Sequence, residues 1–271
     1  MTSRVFAVVN QKGGVGKTTT AVNLAASFAA SERPTLLVDL DPQANASSAF
    51  GAANASPQIY DALAGACVMK DAVRATELRY LHVVPSGRDL YGAEIELVSL
   101  PDRERCVAKA LADLRDAYEI VLIDCPPSLG LLTVNALATA DAVILPLQCE
   151  YYALEGLAGL MATLDTVRQQ LNPELALEGI LLTMADPRNN LSRQVEAEVR
   201  RHFGDQVFRS VIPRNVRLSE APSHGKPVLL YDARSRGAVS YLKLADEILR
   251  RLPRSGAPVA PPSLERAGGP A

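Results

Sequence analysis

No apolar run in this sequence approaches the roughly 18 to 20 residues needed to cross a bilayer, which excludes a membrane-spanning helix. Cysteine is scarce and dispersed. Cys67, Cys106, Cys125 and Cys149 form no C-x-x-C pair, which argues against a disulfide framework or a thiolate metal site and for reduced core thiols. There is no internal repeat, and the first apolar strand begins within a few residues of Met1, leaving no room for a signal peptide, so a cytoplasmic protein is expected. What remains is 271 residues, 48% hydrophobic and 21% charged, enough for one globular α/β domain with a substantial core.

Charge is unevenly spread. The formal net charge is −2, yet residues 188 to 251 carry 13 Lys+Arg against 7 Asp+Glu. An acidic average therefore does not exclude an anionic partner for that segment.

The most informative stretch runs from Val5 to Thr20. A short apolar run, Val5 to Val9, is followed by Asn10-Gln11-Lys12-Gly13-Gly14-Val15-Gly16-Lys17-Thr18-Thr19-Thr20 and then by apolar positions at helical spacing, Ala21, Leu24, Ala25 and Phe28. Strand, glycine loop and helix make a phosphate-binding layout. Gly13, Gly14 and Gly16 permit backbone conformations closed to other residues, so successive N–H groups can turn toward an anion at a helix N-terminus. Lys17 would reach the β- and γ-phosphates, and the Thr18 hydroxyl would ligate Mg²⁺. The standard pattern G-x-x-x-x-G-K-[ST] demands glycine where Gln11 stands, and it does not explain Lys12.

Further apolar runs predict buried strands at Pro34–Asp39, Leu81–Pro85, Ile120–Asp124, Ala142–Pro146 and Gly179–Thr183. Helical spacing is expected over Leu90 to Leu97, Arg103 to Arg115, Leu131 to Ala138, Ala153 to Leu171 and Ala238 to Leu252, with a pliable, briefly helical loop from Ala44 to Ser56. The alternation predicts an α/β fold with a doubly wound, mostly parallel sheet in a single domain over residues 1–252. The Pro-, Gly- and Ala-rich residues 253–271 are expected to form a disordered tail. Asp39, Asp41 and Asp124 stand at or just past strand ends, where a parallel sheet brings them to the rim that carries the glycine loop. Asp124 has the form of an acid that holds Mg²⁺ through water.

Taken together, Lys12-Gly13-Gly14-Val15-Gly16-Lys17-Thr18-Thr19, Asp39-Leu40-Asp41-Pro42-Gln43 and Ile123-Asp124-Cys125-Pro126-Pro127 resemble the deviant Walker A ATPases. Within these, Ile212-Pro213-Arg214-Asn215-Val216-Arg217-Leu218-Ser219-Glu220-Ala221-Pro222-Ser223 is similar to the ParA/Soj partition proteins of chromosomes and plasmids. The resemblance implies an ATP hydrolase that uses Mg²⁺, slow until a ParB-type centromere-binding partner stimulates it. It implies that ATP joins two copies into a sandwich dimer with Lys12 touching the partner's nucleotide, and that this homodimer binds double-stranded DNA without sequence preference and is nucleoid-associated.

By the same resemblance, residues 12 to 19 would cradle the phosphates, Asp41 would orient the attacking water and Asp39 would support the Mg²⁺ shell. Pro213 and Asn215 would contact adenine with Met184 beside them, and Arg188 and Arg217 would contact DNA, with Arg193, Arg200, Arg201 and Arg214 nearby in sequence. A MinD-like membrane-cycling ATPase is the alternative. That class ends in a lipid-binding amphipathic helix, whereas Leu252-Pro253-Arg254-Ser255-Gly256-Ala257-Pro258 has prolines that oppose one, so no membrane partner is expected.

Overall fold

The computed structural model describes residues 3–150 and 153–252. The apolar runs become β1 (Arg4–Val8), β2 (Thr35–Asp39), β3 (Arg74–Ala75), β4 (Leu81–Val84), β5 (Ile120–Asp124), β6 (Ala142–Gln148) and β7 (Ala176–Thr183). They form one seven-stranded sheet in the order β3-β4-β2-β5-β1-β6-β7. Every pairing is parallel except the short antiparallel edge of β3 on β4.

The central strands are apolar throughout because both sheet faces are covered. Alternate residues point to opposite sides, so Val5, Ala7, Val121 and Ile123 join one apolar cluster while Phe6, Val8, Ile120 and Leu122 join the other. The first cluster is closed by helices Leu131–Thr139 and Ala153–Gln170. On the opposite face, helix Lys17–Ala30 packs Leu24 and Phe28 beside Tyr241, Leu244 and Ile248 of helix Arg236–Leu249. Burying a leucine or phenylalanine fully contributes about 1.5–3 kcal/mol, so this helix pair anchors the loop that precedes Lys17.

The strand order reverses beside β1, and the crevice at the carboxyl ends of β1, β2 and β5 is where an open α/β sheet accepts ligands. The expected strands hold, with β6 extending to Gln148 and β7 starting at Ala176. The expected helix from Arg103 to Arg115 is broken instead into a 3₁₀ turn, the short helix Cys106–Leu111 and a second 3₁₀ turn, yet it still buries Val107, Leu111 and Leu114. All four cysteines are unpaired, Cys125 and Cys149 buried and Cys67 and Cys106 only partly so. No helix among the described residues is long and apolar enough to cross a membrane. The expected tail falls on residues 253–271, outside the described residues.

Candidate nucleotide site

The loop after β1 is pinned from the far side of the sheet. The Val9 amide donates to the Ile144 carbonyl at 3.1 Å and Asn10 Nδ2 to the Pro146 carbonyl at 2.7 Å, while Thr183 Oγ1 donates to the Val15 carbonyl at 2.8 Å. Gly14 (φ +76°) and Gly16 (φ +93°) occupy the left-handed region that other residues enter only with strain. Gly13 does not, and a Cβ there would meet nothing within 4 Å, so the expectation of special backbone holds for two of the three glycines.

Gly16 starts helix Lys17–Ala30 without a side-chain cap, and the first amide of the helix to find an intrachain acceptor is that of Thr20, on the Gly16 carbonyl at 2.9 Å. The preceding N–H groups of Lys17, Thr18 and Thr19 are the orphan donors that make a helix N-terminus an anion site. Lys17 is buried and folds back along the loop, its Nζ donating to the Lys12 carbonyl at 3.1 Å. Burial lowers its pKa, and the charges of Asp124, Cys125 and Asp41 oppose that shift.

Asp39 and Asp124 are neighbours across the β2–β5 register, both fully buried. Asp39 is engaged within the chain: Oδ1 accepts the Asp41 amide at 3.1 Å, and Oδ2 accepts the Ser47 amide at 2.8 Å and the Ser47 hydroxyl at 2.6 Å. Burial raises its pKa against those hydrogen bonds. Asp41, also buried, accepts the Gln43 amide through Oδ1 at 2.9 Å. Asp124 differs from both. Its two carboxylate oxygens are buried with no hydrogen-bond partner among the described residues. Burial, then the Asp39 charge, push its carboxyl well above the usual range, while the Thr18 hydroxyl, nearby but outside hydrogen-bond geometry, and the Lys17 charge pull it back.

A buried carboxylate without a donor is costly unless something else neutralises it. Thr18 and Asp124 offer hard oxygen donors, and among the described residues no group of three His, Cys, Asp or Glu could hold a metal alone. That donor set fits Mg²⁺, which takes most of its ligands from phosphates and water. Asp124→Asn is expected to abolish the Mg²⁺-dependent gain in ATP affinity. The same change should raise the melting temperature of the nucleotide-free chain by a few degrees, about 1 kcal/mol, as scanning calorimetry would measure.

Beside Gly16 lies a cavity of about 360 Å³ lined by Thr19, Met184, Pro213, Asn215 and Tyr241. Met184 has φ +50°, an uncommon conformation for a side-chain-bearing residue, and the Asn215 Oδ1 is buried without a partner among the described residues. The sequence-predicted base contacts Met184, Pro213 and Asn215 are therefore brought together next to the loop. A second hollow of about 430 Å³, lined in part by Thr18, Thr19, Asn45, Ser48 and Lys226, has no signature in the sequence.

Lys12 behaves unlike Lys17. Its side chain is half exposed at the rim and pairs with Glu150, a partner 138 positions away that no local motif marks. The two arginines expected to contact DNA are also engaged within the chain. Arg188, 90% exposed, pairs with Asp186 at 3.3 Å, and Arg217 pairs with Glu220 at 2.8 Å and Asp232 at 3.4 Å. A groove of about 560 Å³ is lined by four cations, Arg193, Arg234, Arg236 and Lys243, and two acids, Asp186 and Glu196; none of the four cations forms an ion pair among the described residues, whereas Asp186 pairs with Arg188 and Glu196 with Arg200. Of the four cations, only Arg193 stands out in the sequence.

A parallel sheet that presents a glycine loop, a buried lysine and an unsatisfied aspartate on one rim defines a P-loop nucleotide-binding protein. A family model described as an AAA domain matches residues 3–177. The chain is 57% identical over 250 residues to the chromosome partitioning protein ParA of Myxococcus xanthus, covering 92% of this chain and 88% of that protein. It is 53% identical over 247 residues to the sporulation initiation inhibitor protein Soj of Bacillus subtilis, covering 90% and 98%. A crystal structure of cobyrinic acid a,c-diamide synthase from Mycobacterium smegmatis, with bound ATP analogue and magnesium, superposes with a TM-score of 0.81 at 37% identity over 92% of this chain and 95% of that one. The chain belongs to the ParA/Soj family of chromosome-partitioning ATPases.

Proposed function

We propose that this ATPase works as a nucleotide-gated clamp on DNA. ATP with Mg²⁺ occupies the loop, two copies close face to face over their nucleotides, the closed pair holds double-stranded DNA without sequence preference, and hydrolysis stimulated by a ParB-type partner releases it. The observation that carries this reading is the division of labour between two lysines of one loop. Lys17 is buried over its own loop, whereas Lys12 stands at the rim, able to meet negative charge brought by a second copy. Exposed ion pairs are worth about 0–1 kcal/mol, so giving up Glu150 is no obstacle to that move.

In this scheme, residues 13 to 19 hold the phosphates through backbone N–H groups and Lys17, while Thr18 and Asp124 would hold the ion, which would supply neutralisation of the phosphate charge. Asp39 fixes the Asp41 backbone and Ser47, and so keeps Asp41 aimed at the attacking water. Phosphoryl transfer depends mainly on positioning and charge, so an enzyme completed only by a second copy is slow when alone. Met184, Pro213 and Asn215 receive the base, with the unpartnered Asn215 oxygen available to an exocyclic amine.

DNA is held through its phosphates by the groove of Arg193, Arg234, Arg236 and Lys243, with Arg188 and Arg217 alongside. Closing the pair doubles the cations facing one duplex, which makes DNA affinity depend on ATP. The test is a duplex titration at several salt concentrations, with and without a non-hydrolysable ATP analogue. The expected result is strong binding only with nucleotide, and a salt slope that becomes shallower in Arg234→Ala/Arg236→Ala by about 0.9 for each phosphate no longer neutralised. Equal binding by the nucleotide-free chain, or no salt dependence, would overturn the reading.

A further inference from the structure

The loop that carries Asp41 is closed on itself by one carboxylate. Asp39, the last residue of β2, accepts the Asp41 amide on Oδ1 and both the amide and the hydroxyl of Ser47 on Oδ2. Inside that clasp the Ala44 amide donates to the Asp41 carbonyl at 2.9 Å. Ala44 has φ +54°, a left-handed conformation uncommon for a side-chain-bearing residue, so local preference does not hold the loop on this path. The clasp does.

The Ser47 hydroxyl is committed in both directions. Its oxygen accepts the Ser86 amide at 2.9 Å, and Ser86 lies just past β4, the strand beside β2. An amide can only donate, so Ser47 gives a lone pair to Ser86 and must aim its single proton at Asp39. Ser47, Asp39 and Ser86 are all fully buried, where an unmade hydrogen bond is costly. Removing this hydroxyl strips the carboxylate of one of three donors and leaves the Ser86 amide without its acceptor. Asp39 is then free to turn, and its hold on the Asp41 amide goes with it.

We propose that Ser47 is a positioning residue for ATP hydrolysis: through Asp39 it ties the Asp41 loop to the strand beside it, and so fixes where the Asp41 carboxylate stands. The inference rests on the role given to Asp41 above, and it adds the pair of serines that keeps Asp41 in place. Ser47 lines neither of the hollows beside the glycine loop, which separates its effect from that of a nucleotide contact.

The experiment is a double-mutant cycle of Ser47→Ala and Asp41→Ala in the full chain with Mg²⁺, following single-turnover ATP hydrolysis and calorimetric ATP affinity. Ser47→Ala alone is expected to slow hydrolysis about tenfold or more, the scale of loss that a misplaced reacting group causes, with ATP affinity within a few-fold of the native chain. In the Asp41→Ala background the same change should cost less than about twofold, because groups that act as a unit do not add. Should Ser47→Ala fail to fold, Ser47→Cys, which keeps the outline of the side chain and offers only a weak donor, takes its place in the cycle. Native turnover in the serine variant, a matching fall in its ATP affinity, or an equal loss in both backgrounds would overturn the positioning role while leaving the proposed function standing. Native turnover in Asp41→Ala would overturn the role of Asp41 itself, and that of Ser47 with it.

Discussion

Replacing Asp41 with alanine is expected to lower ATP turnover by about 10²-fold or more, the range a positioned acid–base group contributes, while ATP affinity stays within a few-fold of the native chain. Asp41 is buried on the site's rim, its backbone held by Asp39 and one of its oxygens by the Gln43 amide. In the proposed scheme the phosphates would be gripped elsewhere, by the loop amides and Lys17. Removing the carboxylate should take away the positioning of water and leave the grip on phosphate intact, so binding and turnover separate. Phosphate-release kinetics beside a calorimetric ATP titration would measure both. Turnover near the native rate would take Asp41 out of the mechanism.

Lys12→Ala should have the second large effect. Among the described residues the Lys12 side chain pairs only with Glu150, across an exposed surface, so folded stability should hardly change. In the proposed closed pair the same cation would offset phosphate charge removed from water. Truncating one member of such a buried charge pair costs about 2–5 kcal/mol, roughly a thirty-fold or greater weakening of nucleotide-dependent pairing. Light scattering with a non-hydrolysable analogue should report single chains at concentrations where the native protein pairs, and calorimetry should show an unchanged melting temperature. A variant that pairs normally would show that Lys12 does not cross between copies.

The parts of this fold legible in the sequence are those where one physical demand acts on adjacent residues. Strands covered on both faces must be apolar throughout, so Ile120–Asp124 is visible as a strand with its boundaries intact. The glycine loop is visible because phosphate binding needs glycine and lysine at fixed spacing along one turn. Where the demand is shared among distant residues, the sequence falls silent. Glu150 finds Lys12 from 138 positions away, and the basic groove gathers Arg193, Arg234, Arg236 and Lys243 from separate segments. Helix Asn190–Phe203 buries only Ser192, Val195 and Val199, too thin a stripe to stand out among its charges. Strand β3 has two residues, too few to carry any period. Ser47 cannot be assigned to Asp39 from the sequence, because the loop between them is polar and its path is set by tertiary contacts.

A bound triphosphate is proposed to join two copies of this chain. The mass of the native protein in solution, measured by light scattering with and without a non-hydrolysable ATP analogue and Mg²⁺, tests it most directly. The expected result is the mass of one chain without nucleotide and twice that mass with it. One chain's mass at saturating analogue, with nucleotide occupancy confirmed in the same sample, would contradict it.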